Sequence, residues 1–398
     1  MADGAAAAPQ LQEPDWLSEA RDRAKELGAG LELPTQKQKG WEFTDLSGLE
    51  LDGYTEAVAT VEGLEPNDGD GDGPVVMPLA AAAAAHPELL RERLGAIVPA
   101  ADPFTARNEA RWRDGLLVYV PDGTRLDEPI KLTISGAPGE EIEWRALIVL
   151  GEGAEAEVWE RYASEGDGLF NGVVELVVGD GSNLRYVCEQ SLSDEGWVFA
   201  TQRAEIGRDA NLDWVALGFG SARGKVRMET KLAGRGSSAK VTGAYAGDGV
   251  QHLDYDTTQE HAAEDTTSDL AFRGVLAERA TAVWRGMIRV DPGAQRTDAF
   301  QESRNLLLST DAHADAIPGL EIEADDVRCT HAAAIAQVDP EQLYYLRSHG
   351  FDDPEAKRLV IEGFLQELVQ RAHEGPIRDA LRDQLEQRLE RLLATTAE

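Results

Sequence analysis

Apolar and polar positions alternate along the middle of this chain. From about residue 115 to 335, short runs rich in Val, Leu, Ala and Thr are separated by turns that contain Gly and Asp. Leu184, Tyr186 and Cys188 fall on one face of such a run, and Leu212 and Trp214 do the same in the next. A period of two is typical of β-strands, in which alternate side chains point to opposite faces. The pattern therefore predicts a mainly β core.

A turn sequence recurs through this core at a nearly constant interval. Its copies begin at Gly151, Gly179, Gly207 and Gly234, which are 28, 28 and 27 residues apart, and the segment from Ala277 resembles a further, drifted copy. A fixed period in this range indicates stacked units that bury a core only against their neighbours. We therefore predict a solenoid of β-coils, a parallel β-helix. An ordinary antiparallel sandwich remains the alternative.

Helical periodicity marks both ends of the chain. Residues 12–28 and 78–94 predict helices before the core, and Asp353 with Pro354 predicts a helix start after it. Gly375-Pro376 then separates two apolar helical stripes. We expect three regions: a helical N-terminal region over 1–105 with an acidic linker or loop at 62–74, a β-helix core over 106–338, and a C-terminal helical domain over 339–398.

The charge of the chain limits its partners. The net charge is −35 and the pI is about 4.5, which disfavours binding to nucleic acid. Arginine strongly outnumbers lysine among the 38 basic residues. An acidic, lysine-poor surface favours solubility in concentrated salt, so a halophilic source is expected, with a merely acidic protein as the alternative. Neither a signal peptide nor a membrane-spanning run is evident, and a cytoplasmic protein is expected.

Several motifs are too incomplete to indicate a site. Residues 68–73 begin like a calcium loop, but Leu79 stands where the bidentate Glu is required. Residues 220–225 resemble a phosphate loop that is one residue short, and Val226 replaces its Ser or Thr. His252 and His261 have no standard metal-ligand spacing, so we interpret them as ordinary surface or turn histidines.

Cys329 and His331 are the candidate chemistry of the chain. Two cysteines in 398 residues do not form a disulfide framework, and one of the two lies two positions before a histidine. Thiolate and imidazole are soft ligands suited to zinc, copper or iron–sulfur chemistry. A Cys-x-His on a strand places both side chains on one face, as a buried structural pair would also do. Cys188 is interpreted as a buried core cysteine.

Five segments resemble the SufB/SufD family of iron–sulfur cluster assembly scaffolds. They are residues 41–46 (Trp-Glu-Phe-Thr-Asp-Leu), 301–309 (Gln-Glu-Ser-Arg-Asn-Leu-Leu-Leu-Ser), 318–327, 329–331 (Cys-Thr-His) and 342–347 (Gln-Leu-Tyr-Tyr-Leu-Arg). SufB-type chains are similar to a sequence with Glu after the histidine and a cysteine in the 301–305 segment. This chain has Ala332 after His331, and it has Ser303 or a neighbour where that cysteine would be. Both departures point to the SufD type.

The resemblance implies a fold and a function. SufD-like chains resemble a right-handed parallel β-helix flanked by helical regions, and they pair with SufB and bind the SufC ATPase through the C-terminal helical region. It implies a non-catalytic scaffold with no tightly bound cofactor, where an iron–sulfur cluster or iron is held transiently at the partner interface. His331 is the first candidate for that interface and Cys329 the second. Candidate ATPase contacts lie in the region of Tyr344, Tyr345, Arg347 and Phe364.

Other readings of the sequence remain open. A homodimer is a further option for the assembly. A β-helix carbohydrate-active enzyme that uses its many carboxylates, or a SufB-like scaffold that acts alone, would be the alternative functions. The residues near 303 and at 329–331 discriminate among them, because a fold alone does not determine a function.

Overall fold

A computed structural model describes residues 13–69, 73–372 and 375–395 of the protein. Within these residues, seven α-helices lie toward the two ends of the chain, and a 3-10 turn spans Leu51–Gly53. The helices are α1 (Asp15–Ala29), α2 (Leu79–Ala85), α3 (Pro87–Arg93), α4 (Pro103–Arg111), α5 (Pro340–Ser348), α6 (Asp353–Arg371) and α7 (Pro376–Thr395).

Strands fill the middle of the chain and two short stretches before it. They are β1 (Thr55–Ala57), β2 (Thr60–Glu62), β3 (Asn67–Asp68), β4 (Val75–Pro78), β5 (Asp114–Val120), β6 (Ile130–Gly136), β7 (Glu140–Leu150), β8 (Glu155–Ser164), β9 (Leu169–Val178), β10 (Asn183–Ser191), β11 (Trp197–Ile206), β12 (Asn211–Gly218), β13 (Arg223–Leu232), β14 (Ser238–Gly247), β15 (His252–His261), β16 (Thr267–Leu276), β17 (Thr281–Val290), β18 (Thr297–Leu307), β19 (His313–Ile322) and β20 (Val327–Gln337).

These strands form two sheets between which the chain alternates. Sheet 1 runs β19-β17-β15-β13-β11-β9-β7-β5-β4-β3, with β1 also on β7, and sheet 2 runs β2-β6-β8-β10-β12-β14-β16-β18-β20. The ladders from β5 and β6 onward are parallel, whereas the first ladders, β2 with β6, β3 with β4 and β4 with β5, are antiparallel. The result is a β-solenoid of about eight turns. The predicted β-helix is therefore confirmed and the antiparallel sandwich is wrong.

The predicted alternation also identifies the interior. Tyr186 and Trp214 pair directly in neighbouring coils and are fully buried, and Cys188 lies on the same inward face. One copy of the turn was assigned wrongly. The turn at Ala277 leads into β17 in sheet 1, whereas the turns at Gly151 to Gly234 lead into strands of sheet 2. Each coil has two corners, and the turns at both use similar residues, mainly Gly, Asp and Ala. Ala277 lies at the corner that leads from sheet 2 to sheet 1.

The helices cover opposite outer faces of the solenoid. The side chain of Asn108 in α4 donates to the backbone carbonyls of Trp144 and Asn171 on sheet 1. On the other side, apolar residues of α6 and α7 pack on the outward face of sheet 2, in a cluster that includes Val215, Leu217 and Leu381. Both contacts bury faces that a solenoid with one apolar interior would otherwise expose to water.

Some local elements differ from the sequence expectations. The predicted helix over 78–94 is two helices, because Pro87 lacks the N–H that would continue the first one. The acidic segment at 62–74 includes strand β3 and the end of β2, although residues 70–72 lie outside the described part. The boundary expected near residue 105 falls within α4. Helix α6 is capped by Asp352, whose carboxylate accepts the Glu355 N–H, and not by Asp353. Among the described residues, no helix is long and apolar enough to cross a membrane.

Candidate functional site

The solenoid ends in a coil that nothing in the described structure covers. Strands β19 and β20 are the last members of their sheets, so each leaves one row of backbone N–H and C=O groups without a ladder partner there. Large apolar side chains are exposed on this coil, among them Leu320 at 38%, Ile322 at 41% and Ile335 at 45%. Such an edge with apolar side chains is suited to pairing with another chain.

Cys329 and His331 both lie on β20 at this open end. Cys329 pairs in register with Ala299 and His331 pairs with Gln301, and both partners on β18 are fully buried inward residues. The two candidate side chains thus extend inward-facing columns to the end of the solenoid. Cys329 is half-buried against Ala299 and Val290, and His331 is exposed. The structure brings the predicted pair to one face of one strand.

The electrostatic surroundings of Cys329 disfavour a resident thiolate. Burial raises the pKa of the Cys329 thiol above its usual range, and the nearby Asp298 carboxylate raises it further. The thiol is therefore mostly protonated at neutral pH, and a metal has to displace the proton to bind.

A buried polar layer lies directly beneath the open coil. Gln301, Ser303 and Asn305 on β18 point inward and are almost fully buried. The Tyr245 hydroxyl donates to Asn305 Oδ1 at 2.5 Å, and Asn305 Nδ2 donates to Ser303 Oγ at 3.4 Å. Ser303 lies in the 301–305 segment, where the resemblance places a cysteine in SufB-type chains, and it pairs with Ala333 of the open coil. This layer was not predicted from the sequence, although polar residues at the alternate inward positions 301, 303 and 305 are a signal that could have identified it.

The described part of the chain offers an incomplete ligand set. Within residues 13–69, 73–372 and 375–395, no group of three or more His, Cys, Asp or Glu side chains could hold a metal ion. Iron and zinc sites in proteins generally use three or four protein ligands. Among the described residues, Cys329 and His331 therefore lack the further ligands that such a site needs.

Both histidines of the 252–261 segment belong to strand β15, so their assignment to the surface or a turn was wrong. His261 is fully buried, its ring nitrogens bond Thr266 Oγ1 at 2.7 Å and Ser268 Oγ at 2.8 Å, and burial lowers its pKa to about 4. His252 is half-buried, and its Nδ1 lies 2.8 Å from Thr281 Oγ1. These contacts give both side chains structural partners.

Cys188 lies in the solenoid interior, as predicted. Its Sγ accepts a hydrogen bond from Gln202 Nε2 at 3.2 Å, and burial raises its pKa to about 12. Its column continues through Ala216, Gly243 and Phe272 before it reaches Ser303. Several coils thus separate this thiol from the open end.

The candidate ATPase contacts fall into two environments. Tyr344 and Tyr345 on α5 are 69% and 62% exposed, and Arg347 on the same helix pairs with Asp353 at 2.9 Å. Phe364 on α6 is half-buried against the solenoid, with the Arg273 guanidinium 5.8 Å from its ring centroid. The structure therefore groups the first three on one exposed helix and places Phe364 apart from them.

The sequence of this chain is similar to known family models and proteins. Residues 134–364 match the family model described as "SUF system FeS cluster assembly, SufBD core domain", and residues 60–132 match "SufBD protein N-terminal region". An iron–sulfur cluster assembly SufBD family protein of Mycobacterium bovis is 30% identical over 372 residues, which covers 90% of each chain. The iron–sulfur cluster assembly protein SufD of Bacillus subtilis is 28% identical over 396 residues, again with 90% of each chain covered.

Proposed function

This chain belongs to the SufBD family of iron–sulfur cluster assembly proteins, and from that premise we propose that it is a SufD-like scaffold subunit. In this proposal it pairs with a SufB-like chain, binds a SufC-like ATPase and catalyses no reaction itself. Iron or a nascent cluster is its cargo. Ala332 and Ser303, which replace residues expected in SufB-type chains, support the SufD assignment.

The open last coil is the observation that carries this proposal. Its edge strands and exposed apolar side chains supply main-chain hydrogen bonds and apolar area to a partner that ends in a similar coil. Cys329 and His331 would then lie at the junction, where the partner can add ligands that the described part of this chain does not supply. A site completed across an interface can release its cargo when the interface opens, which suits a scaffold.

The C-terminal helices supply a separate surface for an ATPase subunit. Helix α5 has no buried residue, and Tyr344, Tyr345 and the nearby Phe351 are exposed. Large exposed aromatic side chains on a helical surface are typical anchors of protein–protein interfaces. The incomplete phosphate loop at 220–225 is consistent with ATP hydrolysis on a separate chain.

The pairing is tested with an edge substitution and a matched control. Ile335→Lys places a charge in the open coil, and Val250→Lys makes the same kind of change at an exposed corner, where the residue is 63% exposed. The proposal expects Ile335→Lys to weaken binding to a SufB-like chain at least about tenfold, because a desolvated charge at an interface is costly, and Val250→Lys to bind like the wild type. Equal binding by both variants, or no binding by the wild type, would contradict it.

The ATPase surface is tested independently of the pairing. Tyr344→Ser with Tyr345→Ser removes both aromatic anchors of α5, whereas Leu27→Ser changes an exposed apolar residue on α1. We expect the double variant to lose the SufC-like ATPase in a pull-down while it retains the SufB-like chain. Retention of the ATPase by the double variant would refute this part of the proposal.

A further inference from the structure

Gln301 contains a buried acceptor without a partner. The residue is fully buried, and its Nε2 donates to the carbonyls of Gly286 at 3.3 Å and Gly319 at 3.1 Å. These two acceptors fix the orientation of the amide, because its NH₂ group has to face them. Within the described structure, Oε1 has no hydrogen-bond partner. An unsatisfied buried acceptor is costly, so a donor for Oε1 is expected nearby.

The residue opposite Gln301 can supply that donor. Gln301 pairs in register with His331, and in parallel strands such neighbours on one face lie about 4.8 Å apart. Gln301 and His331 are the last two members of an inward-facing column. The earlier members are apolar or aromatic: Val158, Tyr186, Trp214, Val241 and Leu270. The nearby indole of Trp284 makes no hydrogen bond to Oε1, because its Nε1 has no partner within the described structure.

We propose that Gln301 is a positioning residue for His331. In this proposal the imidazole of His331 turns its N–H toward Gln301 Oε1 and donates a hydrogen bond that the described structure does not contain. That bond selects one neutral tautomer and orients the ring. The lone pair of the other ring nitrogen is then free at the open end of the solenoid. Histidines that bind metals commonly donate their second ring N–H to a carbonyl or carboxylate in this way. That this free nitrogen holds iron or a cluster rests on the proposed function.

The tautomer can be measured directly in the full chain. The protein is labelled with ¹⁵N-histidine, and the His331 signals are assigned by their loss in His331→Asn. The ring ¹⁵N shifts, recorded at pH 8, report which nitrogen carries the proton. We expect one tautomer in the wild type and a shift of the ratio by about fivefold or more in Gln301→Met, because one hydrogen bond is lost.

Gln202→Met is the matched control. Gln202 is also an inward, fully buried glutamine, but it lies on sheet 1 in β11 and bonds Cys188. The Gln202→Met variant should leave the ring ¹⁵N shifts of His331 unchanged. A tautomer ratio in the wild type equal to that of free histidine, or the same change in both variants, would overturn the positioning role. The wild-type measurement decides the question even if Gln301→Met does not fold.

Failure of this inference and failure of the proposed function give different results. A mixed tautomer in the wild type removes the role of Gln301 and leaves the scaffold proposal intact. A single tautomer that depends on Gln301, in a chain that binds no SufB-like partner, supports the positioning and contradicts the scaffold.

Discussion

Lys225 and Asp254 form a buried ion pair on the outer face of sheet 1, with Lys225 Nζ 2.8 Å from Asp254 Oδ1. Thr44 covers the pair and donates its hydroxyl to Asp254 Oδ2 at 2.5 Å. The ring centroid of Trp41 lies 5.7 Å from Lys225 Nζ. The segment of residues 41–46 is thus attached to two neighbouring strands, β13 and β15.

This ion pair is expected to matter for stability. Lys225→Met leaves the Asp254 carboxylate buried without its cation, which typically costs about 3–5 kcal/mol of the free energy of unfolding. Arg328→Met is the control, because the Arg328–Asp298 pair is exposed and such pairs contribute about 0–1 kcal/mol. Urea denaturation of both variants checks the difference. Equal loss of stability would show that the segment is not held by this pair.

His261 should make the stability of the protein depend on pH. Burial lowers its folded pKa to about 4, whereas the unfolded chain has the ordinary value of 6.5. As the pH falls, the unfolded state therefore binds a proton at this histidine at a higher pH than the folded state does. The stability that depends on the neutral histidine is fully present above pH 6.5 and is lost as the pH falls toward 4. The loss amounts to about 3 kcal/mol.

His261→Gln isolates this contribution from the carboxylates that titrate in the same range. The variant should lose less stability than the wild type between pH 6.5 and 4, as measured by the urea midpoint at each pH. His313→Gln makes the same change at an exposed histidine and serves as the control. Parallel curves for His261→Gln and the wild type would contradict the buried, neutral histidine.

The two cysteines should differ in reactivity. A thiol whose pKa is raised to about 12 has a thiolate fraction about a thousandfold below that of an ordinary thiol at neutral pH, and Cys188 is also inaccessible. Cys329 is half-buried. Iodoacetamide should therefore modify Cys329 in the native protein and Cys188 only after denaturation, as peptide mass spectrometry can determine.

Two variants check the cause of this difference. Cys329→Ser should leave the native protein unmodified, and Asp298→Asn should speed the labelling of Cys329, because Asp298 raises its pKa. Native labelling of Cys188 would mean that the solenoid interior opens on the timescale of the reaction.

The sequence predicted the solenoid because every coil must repeat the same inward apolar positions. Leu184, Tyr186 and Cys188 were placed on one face by alternation alone, and the glycine spacing gave the coil length. Alternation could not assign Ala277 to a corner, since both corners of a coil use similar turn residues. The break at Pro87 was readable, because proline cannot continue the hydrogen bonding of the preceding helix.

The candidate site was predictable only in part. The i, i+2 spacing of Cys329 and His331 places them on one face of a strand. The alignment of His331 with Gln301 depends on the register between strands one coil apart, which follows from tertiary packing and not from local pattern. For the same reason, the uncovered last coil emerged only with the sheet order, in which β19 and β20 come last.

This chain is proposed to be a scaffold subunit whose open end handles the cluster with His331. The most direct test of this role is co-purification of the tagged chain with its cellular partners, for wild type, His331→Ala and the control His313→Ala, combined with an assay of cluster maturation. We expect all three to recover a SufB-like chain and an ATPase, and only His331→Ala to lose maturation. Absence of these partners from the wild type, or full maturation with His331→Ala, would contradict it.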